Sequence, residues 1–292
     1  MTAPPAAARV AVVIVNYQSY PDLRDCLASL GHADPAITLC VVDHSSRPEP
    51  ADEIAREFPH IHLLRVPENE GFAAGVNRGA RECDAPFVLL LNPDSVADAA
   101  MCEALADWMD DHPQVGAAGP RILNADGTVQ ASARRFPNLT TAIAGRSSWL
   151  TRHFPGNPLS RHNLAPSQSP SSAPTEVDWV SGAAMIIRRA AYEAVGGMDE
   201  GFFLYWEDAD FCRRLKHAGW KTMYVPAVAV RHIGGRSSRH AADASLVAFH
   251  RSAFRLFWKH AGPVKRLLAP VVAVALRARL ALMRHLVRSG RR

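Results

Sequence analysis

Glu207, Asp208 and Asp210 lie in a segment crowded with Phe202, Phe203, Tyr205, Trp206 and Phe211. Carboxylates rarely sit among aromatic rings unless they are paired, bound to a metal or held ready for a reaction. His232 follows 24 residues after Asp208, beyond a strand-like Lys-Thr-Met-Tyr-Val run. A carboxylate cluster with a later histidine can build a metal and acid–base site. Asp208 is the candidate base, able to take a proton from an incoming hydroxyl. The competing reading is that Glu207 and Asp208 only favour the start of a helix over 206–217. His232, between a strand and Gly234-Gly235, is open either to metal ligation or to a packing role.

Two more carboxylates close apolar runs. Asp43 ends a strand in Val-Val-Asp-His-Ser-Ser, where it can accept a hydrogen bond from a base ring N–H or a ribose hydroxyl, or simply cap a turn. Asn92-Pro93-Asp94 closes another strand, and Asp94 can supply one carboxylate to a hard cation that bridges phosphates, or can belong to a turn. The spaced glycines of 69–79 open a helix and resemble a phosphate cradle, but fit neither the dinucleotide nor the P-loop pattern. Arg134 and Arg135 are equally placed to pair with phosphates or to be surface charges.

The elements that must position these groups alternate. Apolar or amphipathic runs predict strands at 10–15, 37–42, 62–66, 87–91 and 115–119, and helices at 21–30, 51–58, 73–81 and 97–110. That order predicts a doubly wound α/β sheet, on which ligands bind beyond the carboxyl ends of the strands. Asn16, Asp43 and Asp94 lie at or just past three such ends. A strand is expected over 177–188. Residues 151–176, with five Pro and five Ser, read as a loop over a binding cleft.

At 292 residues, 48% hydrophobic and 21% charged, the chain can bury a full core. Five scattered cysteines with no Cys-x-x-Cys pair suggest neither a disulfide framework nor a structural zinc site, and point to a reducing cytosol. The first residues lack the basic and apolar regions of a secretory signal. Residues 250–292 carry eleven Lys/Arg and no acid, leaving 22 basic against 28 acidic residues in the rest, a net −6. Helices are expected at 245–260 and 270–288. No run reaches the roughly 20 apolar residues that a membrane span needs. The second helix has an apolar stripe (Val272, Leu276, Leu280, Met283, Val287) with Arg277, Arg284 and Arg288 on another face. This predicts either a helix lying in an anionic membrane surface or one packed on the body with a solvated basic side.

In order, Val-Ile-Val-Asn-Tyr (13–17), Val-Val-Asp-His-Ser-Ser (41–46), the 69–79 segment, Leu-Leu-Asn-Pro-Asp (90–94), Trp-Val-Ser-Gly-Ala (179–183), Gly-Gly-Met-Asp-Glu-Gly-Phe-Phe-Leu-Tyr-Trp-Glu-Asp-Ala-Asp (196–210) and Arg-His-Ile-Gly-Gly-Arg-Ser (231–237) resemble the family 2 glycosyltransferases. The bacterial rhamnosyltransferase type is the most similar, over about residues 9–260. The resemblance implies a GT-A fold, Rossmann-like and α/β, over 1–243, with a nucleotide-sugar half at 9–120 and an acceptor and catalytic half at 121–243. A basic amphipathic helical tail at 244–292 would sit on the membrane. By position, Asn16, Asp43, Asn77, Asn92 and Asp94 would bind the nucleotide-diphosphate sugar. Trp179, Ser181, Gly182 and Glu207 would line the acceptor pocket, Asp208 would be the general base, and Asp94 with His232 would hold Mg²⁺ or Mn²⁺. The chain departs from the family pattern in having His44 where Asn usually follows the aspartate. It has Asn92 at the first place of Asp-x-Asp, as the rhamnosyltransferase type does.

These readings converge on an inverting, metal-dependent transferase. It would move L-rhamnose from dTDP-rhamnose to a lipid-linked or cell-surface glycan at the cytoplasmic face of the plasma membrane. Two alternatives stand beside it: another donor, such as UDP-galactofuranose or a UDP-hexose, or a non-catalytic membrane-associated protein of the same fold. A nucleic-acid partner is not expected, because no recognition motif accompanies the tail and the body is acidic.

Overall fold

The computed structural model describes residues 8–31, 35–45, 48–136, 173–233 and 242–289. Residues 151–172 of the expected loop and Gly234–Ser237 of the last motif lie outside them. In chain order the elements are β1 (Val10–Asn16), α1 (Tyr20–Leu30), β2 (Ile37–His44), α2 (Pro48–Glu57), β3 (His62–Val66), α3 (Phe72–Glu82) and β4 (Phe87–Leu91). Next come β5 (Ser95–Val96), α4 (Ala99–Asp110), β6 (Val115–Leu123), β7 (Ala133–Arg134), β8 (Thr175–Glu176), β9 (Trp179–Val180) and β10 (Ala184–Arg188). The rest are α5 (Arg189–Ala194), α6 (Glu207–His217), β11 (Lys221–His232), α7 (Ala242–His260), α8 (Pro263–Arg266) and α9 (Ala269–Arg288).

One sheet runs β3-β2-β1-β4-β10-β6-β11-β5, with β8 paired to β11. The first four strands are parallel, and β10 enters antiparallel between β4 and β6. Helices cover both faces, which is why β1 and β4 are unbroken apolar runs. The side chains of β1 alternate: Val10, Val12 and Ile14 enter one core layer, Ala11 and Val13 the other.

The strand expected over 177–188 is broken. Val180 ends β9, Ser181 and Gly182 turn, and β10 starts at Ala184. The turn is set by Ser181 N–H donating to Ser132 O and Ala184 N–H to Ser181 O. Strand β11 runs further than the 221–225 pattern implied. It passes an irregularity in register between Val225 and Ala229, next to Pro226, and reaches His232 beside Ser95. The expected loop gives way to strand at Thr175–Glu176.

The 69–79 glycines serve packing. A Cβ at Gly79 would meet Val13 Cγ1 at 2.6 Å, and one at Gly75 would meet Val15 Cγ1 at 2.7 Å, so α3 lies unusually close on β1. Gly71, at φ 93°, has Phe203 O where its Cβ would be, and that carbonyl accepts from Phe72 N–H at the helix start.

Helices α7 and α9 pack together, and the expected apolar stripe of α9 divides. Val272, Leu276, Leu280 and Met283 are half-buried, while Val287 is exposed. A second apolar row, Val264, Leu267, Leu268, Val271, Val274 and Leu282, is left exposed. Arg284 is paired with Asp243 and Arg279 with His250. Among the described residues no helix is long and apolar enough to cross a membrane.

Candidate active site

Strands β1 and β2 end side by side, with Asn16 in register with Asp43. Asn16 Nδ2 donates to Asp43 Oδ1 at 2.6 Å, and Tyr20 OH, at the start of α1, donates to Oδ2 at 2.9 Å. Burial raises the Asp43 carboxyl above its usual range, and these two hydrogen bonds oppose that rise. Burial also pushes the Tyr20 phenol up to about 12, so it remains a donor. Tyr20 escaped the sequence reading, since nothing local marks a helix's first residue as a partner for a carboxylate 23 positions later.

Asp94 and His232 meet because β11 pairs with β5. Asp94 Oδ1 lies 2.9 Å from His232 Nε2, and Asn92 Nδ2 lies 3.2 Å from the same nitrogen. On the other side of the ring, Nδ1 faces Gln130 Oε1 at 3.1 Å, while Gln130 Nε2 donates to the His232 carbonyl at 3.0 Å. With the proton on Nδ1, donated to Gln130, the Nε2 lone pair faces both the Asn92 amide and a carboxylate oxygen of Asp94. Two acceptors that close are satisfied by a shared cation, so the pair fits the divalent ion implied for it. Gln130 was also missed, because its place depends on pairing across the sheet. Gln130→Leu is expected to weaken the apparent Mn²⁺ affinity of turnover by about 10- to 100-fold with little change in saturated rate. A metal titration of activity that matches the parent would count against this.

Asp208 stands in the first turn of α6. Its Oδ2 accepts from Gly182 N–H at 3.2 Å, and its Oδ1 from Ala209 N–H at 2.8 Å. Burial raises its carboxyl; the two N–H groups and the Arg134 guanidinium pull the other way. Glu207 is buried deeper, and burial plus the charge of Asp208 hold it well above the usual range. Among the described residues, Glu207 Oε2 and the neighbouring Trp206 Nε1 are buried without a hydrogen-bond partner. Tyr205 and Trp206 both have positive φ, 68° and 70°, a strained entry that aims α6 at the Ser181-Gly182 turn. The two centres share a rim: Asn92 N–H donates to Ala183 O, one residue from the N–H that binds Asp208.

Three expectations change. Asn77 uses its whole amide inside the protein: Nδ2 donates to Met198 O and Glu200 Oε1, and Oδ1 accepts from Met198 N–H and Tyr192 OH. An amide has two donors and two lone pairs, so Asn77 brackets the 198–200 loop instead of reaching the donor. Trp179 is 7% exposed, gives its indole N–H to Arg135 O and lies under the Arg134 guanidinium, 5.1 Å from the ring centre. It offers an acceptor almost no surface. Asp210 leaves the cluster: it accepts from Arg214, Lys259 and His260, tying α6 to α7.

The sequence profile described as "Glycosyltransferase like family 2" matches residues 5–248. The chain is 33% identical, over 298 residues, to the N-acetylglucosaminyl-diphospho-decaprenol L-rhamnosyltransferase of Mycobacterium tuberculosis, across 96% of this chain and 95% of the relative. Its fold is similar to that of the Pyrobaculum calidifontis mannosyltransferase PcManGT, solved with GDP-Man and Mn²⁺, at TM-score 0.56 and 18% identity over 94% of this chain and 71% of that one. It is also similar to GalNAc-T7, solved with UDP, GalNAc and Mn²⁺, at TM-score 0.57 and 15% identity over 78% of this chain and 44% of that one. At these identities the structural likeness carries the GT-A fold alone.

Proposed function

Because the chain belongs to glycosyltransferase family 2, we propose that it is an inverting transferase that moves L-rhamnose from dTDP-rhamnose to a lipid-linked saccharide. The observation that carries this reading is the common rim. A cation pair, Asp94 and His232, and a raised carboxylate, Asp208, face the Asn92–Ala183 junction from two sides. The choice of sugar and of a diphospho-lipid acceptor is supported by the mycobacterial relative's name.

In this reading the fully buried Asn16 positions Asp43 toward the nucleoside, and Asn92 lines the donor site beside His232. The turn of Ser181 and Gly182, with Glu207, seats the acceptor. The acceptor hydroxyl gives its proton to Asp208 as its oxygen attacks the anomeric carbon from the face opposite the diphosphate. The new C–O bond forms, the bond to the diphosphate breaks, and its electron pair leaves with the nucleoside diphosphate. A divalent cation on Asp94 and His232 would neutralise charge developing on that leaving group. Burial and the charge of Asp208 hold the Glu207 carboxyl well above its usual range, and it lies buried behind the acceptor seat rather than serving as a second base.

The test is nucleotide release from dTDP-, UDP- and GDP-sugars with Mg²⁺ or Mn²⁺ and a short polyprenyl-diphosphate glycan. Metal-dependent release from dTDP-rhamnose supports the whole reading. Release from a UDP-sugar alone keeps the mechanism and discards rhamnose.

The tail at 244–292 supports docking on an anionic membrane surface at the cytoplasmic face. Val264, Leu267, Val271 and Val274 are each about two-thirds exposed or more, with Lys265, Arg266 and Arg277 alongside. Aliphatic burial contributes about 1.5–3 kcal/mol per side chain when complete, and each nearby basic residue about 1 kcal/mol on an anionic leaflet. The double variant Leu267→Glu, Val271→Glu is therefore expected to lower binding to phosphatidylglycerol vesicles by about 100-fold or more. Turnover of a water-soluble acceptor should be unchanged. Vesicle co-sedimentation equal to that of the parent would refute the docking.

A further inference from the structure

We propose that Cys40, His62 and Cys83 form a binding site for a thiophilic divalent cation of the zinc class, separate from the transfer site. Cys40 on β2 is in register with His62, the first residue of β3, so their side chains emerge on one face of the sheet edge. Cys83 follows α3 directly, and α3 crosses β1 and β2 on that same face. The three ligand atoms, two sulfurs and an imidazole nitrogen, all lie within 4.8 Å of one another. Tetrahedral zinc, at about 2.3 Å from sulfur and 2.1 Å from nitrogen, sets its ligands roughly 3.5–3.8 Å apart. Closure asks for side-chain shifts of about 1 Å or less.

The chemistry suits the place. Both cysteines are buried in the apolar layer under α3, and His62 is exposed. The histidine gives an ion a way in and leaves a fourth position toward water. Two thiolates and a divalent ion sum to zero charge, the state that an apolar layer tolerates best. The Cys83 thiol is drawn below its usual range by a hydrogen bond with Cys40, against burial and with help from His62 and the nearby Arg189 guanidinium. That same hydrogen bond, with burial, pushes Cys40 up. Binding displaces thiol protons, which makes affinity rise with pH.

No Cys-x-x-Cys spacing announces this site, because its ligands come from two strands and the end of a helix. Asp43 lies three residues further along β2, about 10 Å away at strand rise. The ion would pin the edge strand β3 and the end of α3 to β2, and would take no part in sugar transfer.

The test uses the full chain, reduced and metal-stripped, titrated anaerobically with Co²⁺. Expected are thiolate-to-cobalt charge-transfer bands in the near ultraviolet and tetrahedral bands in the red, saturating at one equivalent and erased by Zn²⁺. Cys83→Ser should weaken the charge-transfer band. His62→Ala, at an exposed position that leaves the fold intact, should lower Zn²⁺ affinity by about tenfold or more. Cys102→Ala, in the opposite core layer, and Asp94→Asn, in the transfer site, should leave the titration unchanged, so this proposal and the transfer mechanism fail separately. Absence of charge-transfer bands in the reduced parent protein, or band intensity and affinity unchanged in both Cys83→Ser and His62→Ala, would overturn it. So would purification as a Cys40–Cys83 disulfide that, once reduced, binds no cobalt.

Discussion

Asp208→Asn lowers turnover by about 10³-fold while donor affinity and unfolding temperature stay near those of the parent protein. Asparagine keeps the shape of the side chain, and its oxygen can still accept from Gly182 N–H, so the turn that faces the base is held. What is lost is the ability to take a proton from the acceptor hydroxyl as its oxygen attacks. The pH profile gives a second reading of the same group. Burial raises the Asp208 carboxyl, and a base works only when ionised, so turnover should climb as pH rises through that elevated value. The limb should vanish in Asp208→Asn. Glu207 is the control: burial and the charge of Asp208 hold it well above the usual range. Glu207→Gln should keep the acid limb. If instead Glu207→Gln abolishes turnover and Asp208→Asn retains it, the roles are reversed.

Asp210→Asn destabilises the fold by about 3 kcal/mol in chemical denaturation. Asp210 is fully buried and takes hydrogen bonds from Arg214 at 2.8 Å, Lys259 at 3.0 Å and His260 at 2.7 Å. Removing its charge leaves cations facing a neutral amide, and Arg214, which also holds the Val195 and Gly197 carbonyls, cannot swing away freely. Lys259 also reaches Asp199 and is partly exposed, so Lys259→Met should cost much less. Burial alone would raise the Asp210 carboxyl, yet the three hydrogen bonds outweigh it and hold the group well below the carboxylate range. A depressed folded-state value means that the stability is complete above about pH 5 and declines as pH falls below the unfolded value near 3.9. The acid sensitivity of Asp210→Asn should be correspondingly smaller. A loss under about 0.5 kcal/mol would mean that the cations find water instead. The link also matters to the reaction. Asp208 and Asp210 sit two residues apart on one helix, about 200° around it, so Asp208 faces the Ser181-Gly182 turn while Asp210 anchors α6 to α7.

Much of the site was legible because its carboxylates sit where apolar runs stop. Runs such as 10–15 and 87–91 can only be strands covered on both faces, and Asn16, Asp43 and Asp94 mark their ends. The helix over Glu207–His217 was bounded to within one residue by its acidic start and basic finish. Gln130 behind His232, Tyr20 beneath Asp43 and His260 against Asp210 were not legible. Each depends on a register or a packing face shared by segments far apart in the chain. The packing role of the 69–79 glycines was hidden for the same reason, since only the distance from α3 to Val13 and Val15 shows it.

The order of strands and helices, the polar groups at strand ends and the one-signed tail were determined by the sequence alone, because periodicity, charge and the punctuation of apolar runs are local properties. The tertiary structure alone decided which groups share a hydrogen bond, an ion pair or a core layer. It brought Cys40, His62 and Cys83 together, spent the amide of Asn77 on a loop and turned Asp210 away from the site. Those outcomes follow from strand register and helix docking, which are set by the burial of the whole core and leave no mark in any single stretch of residues.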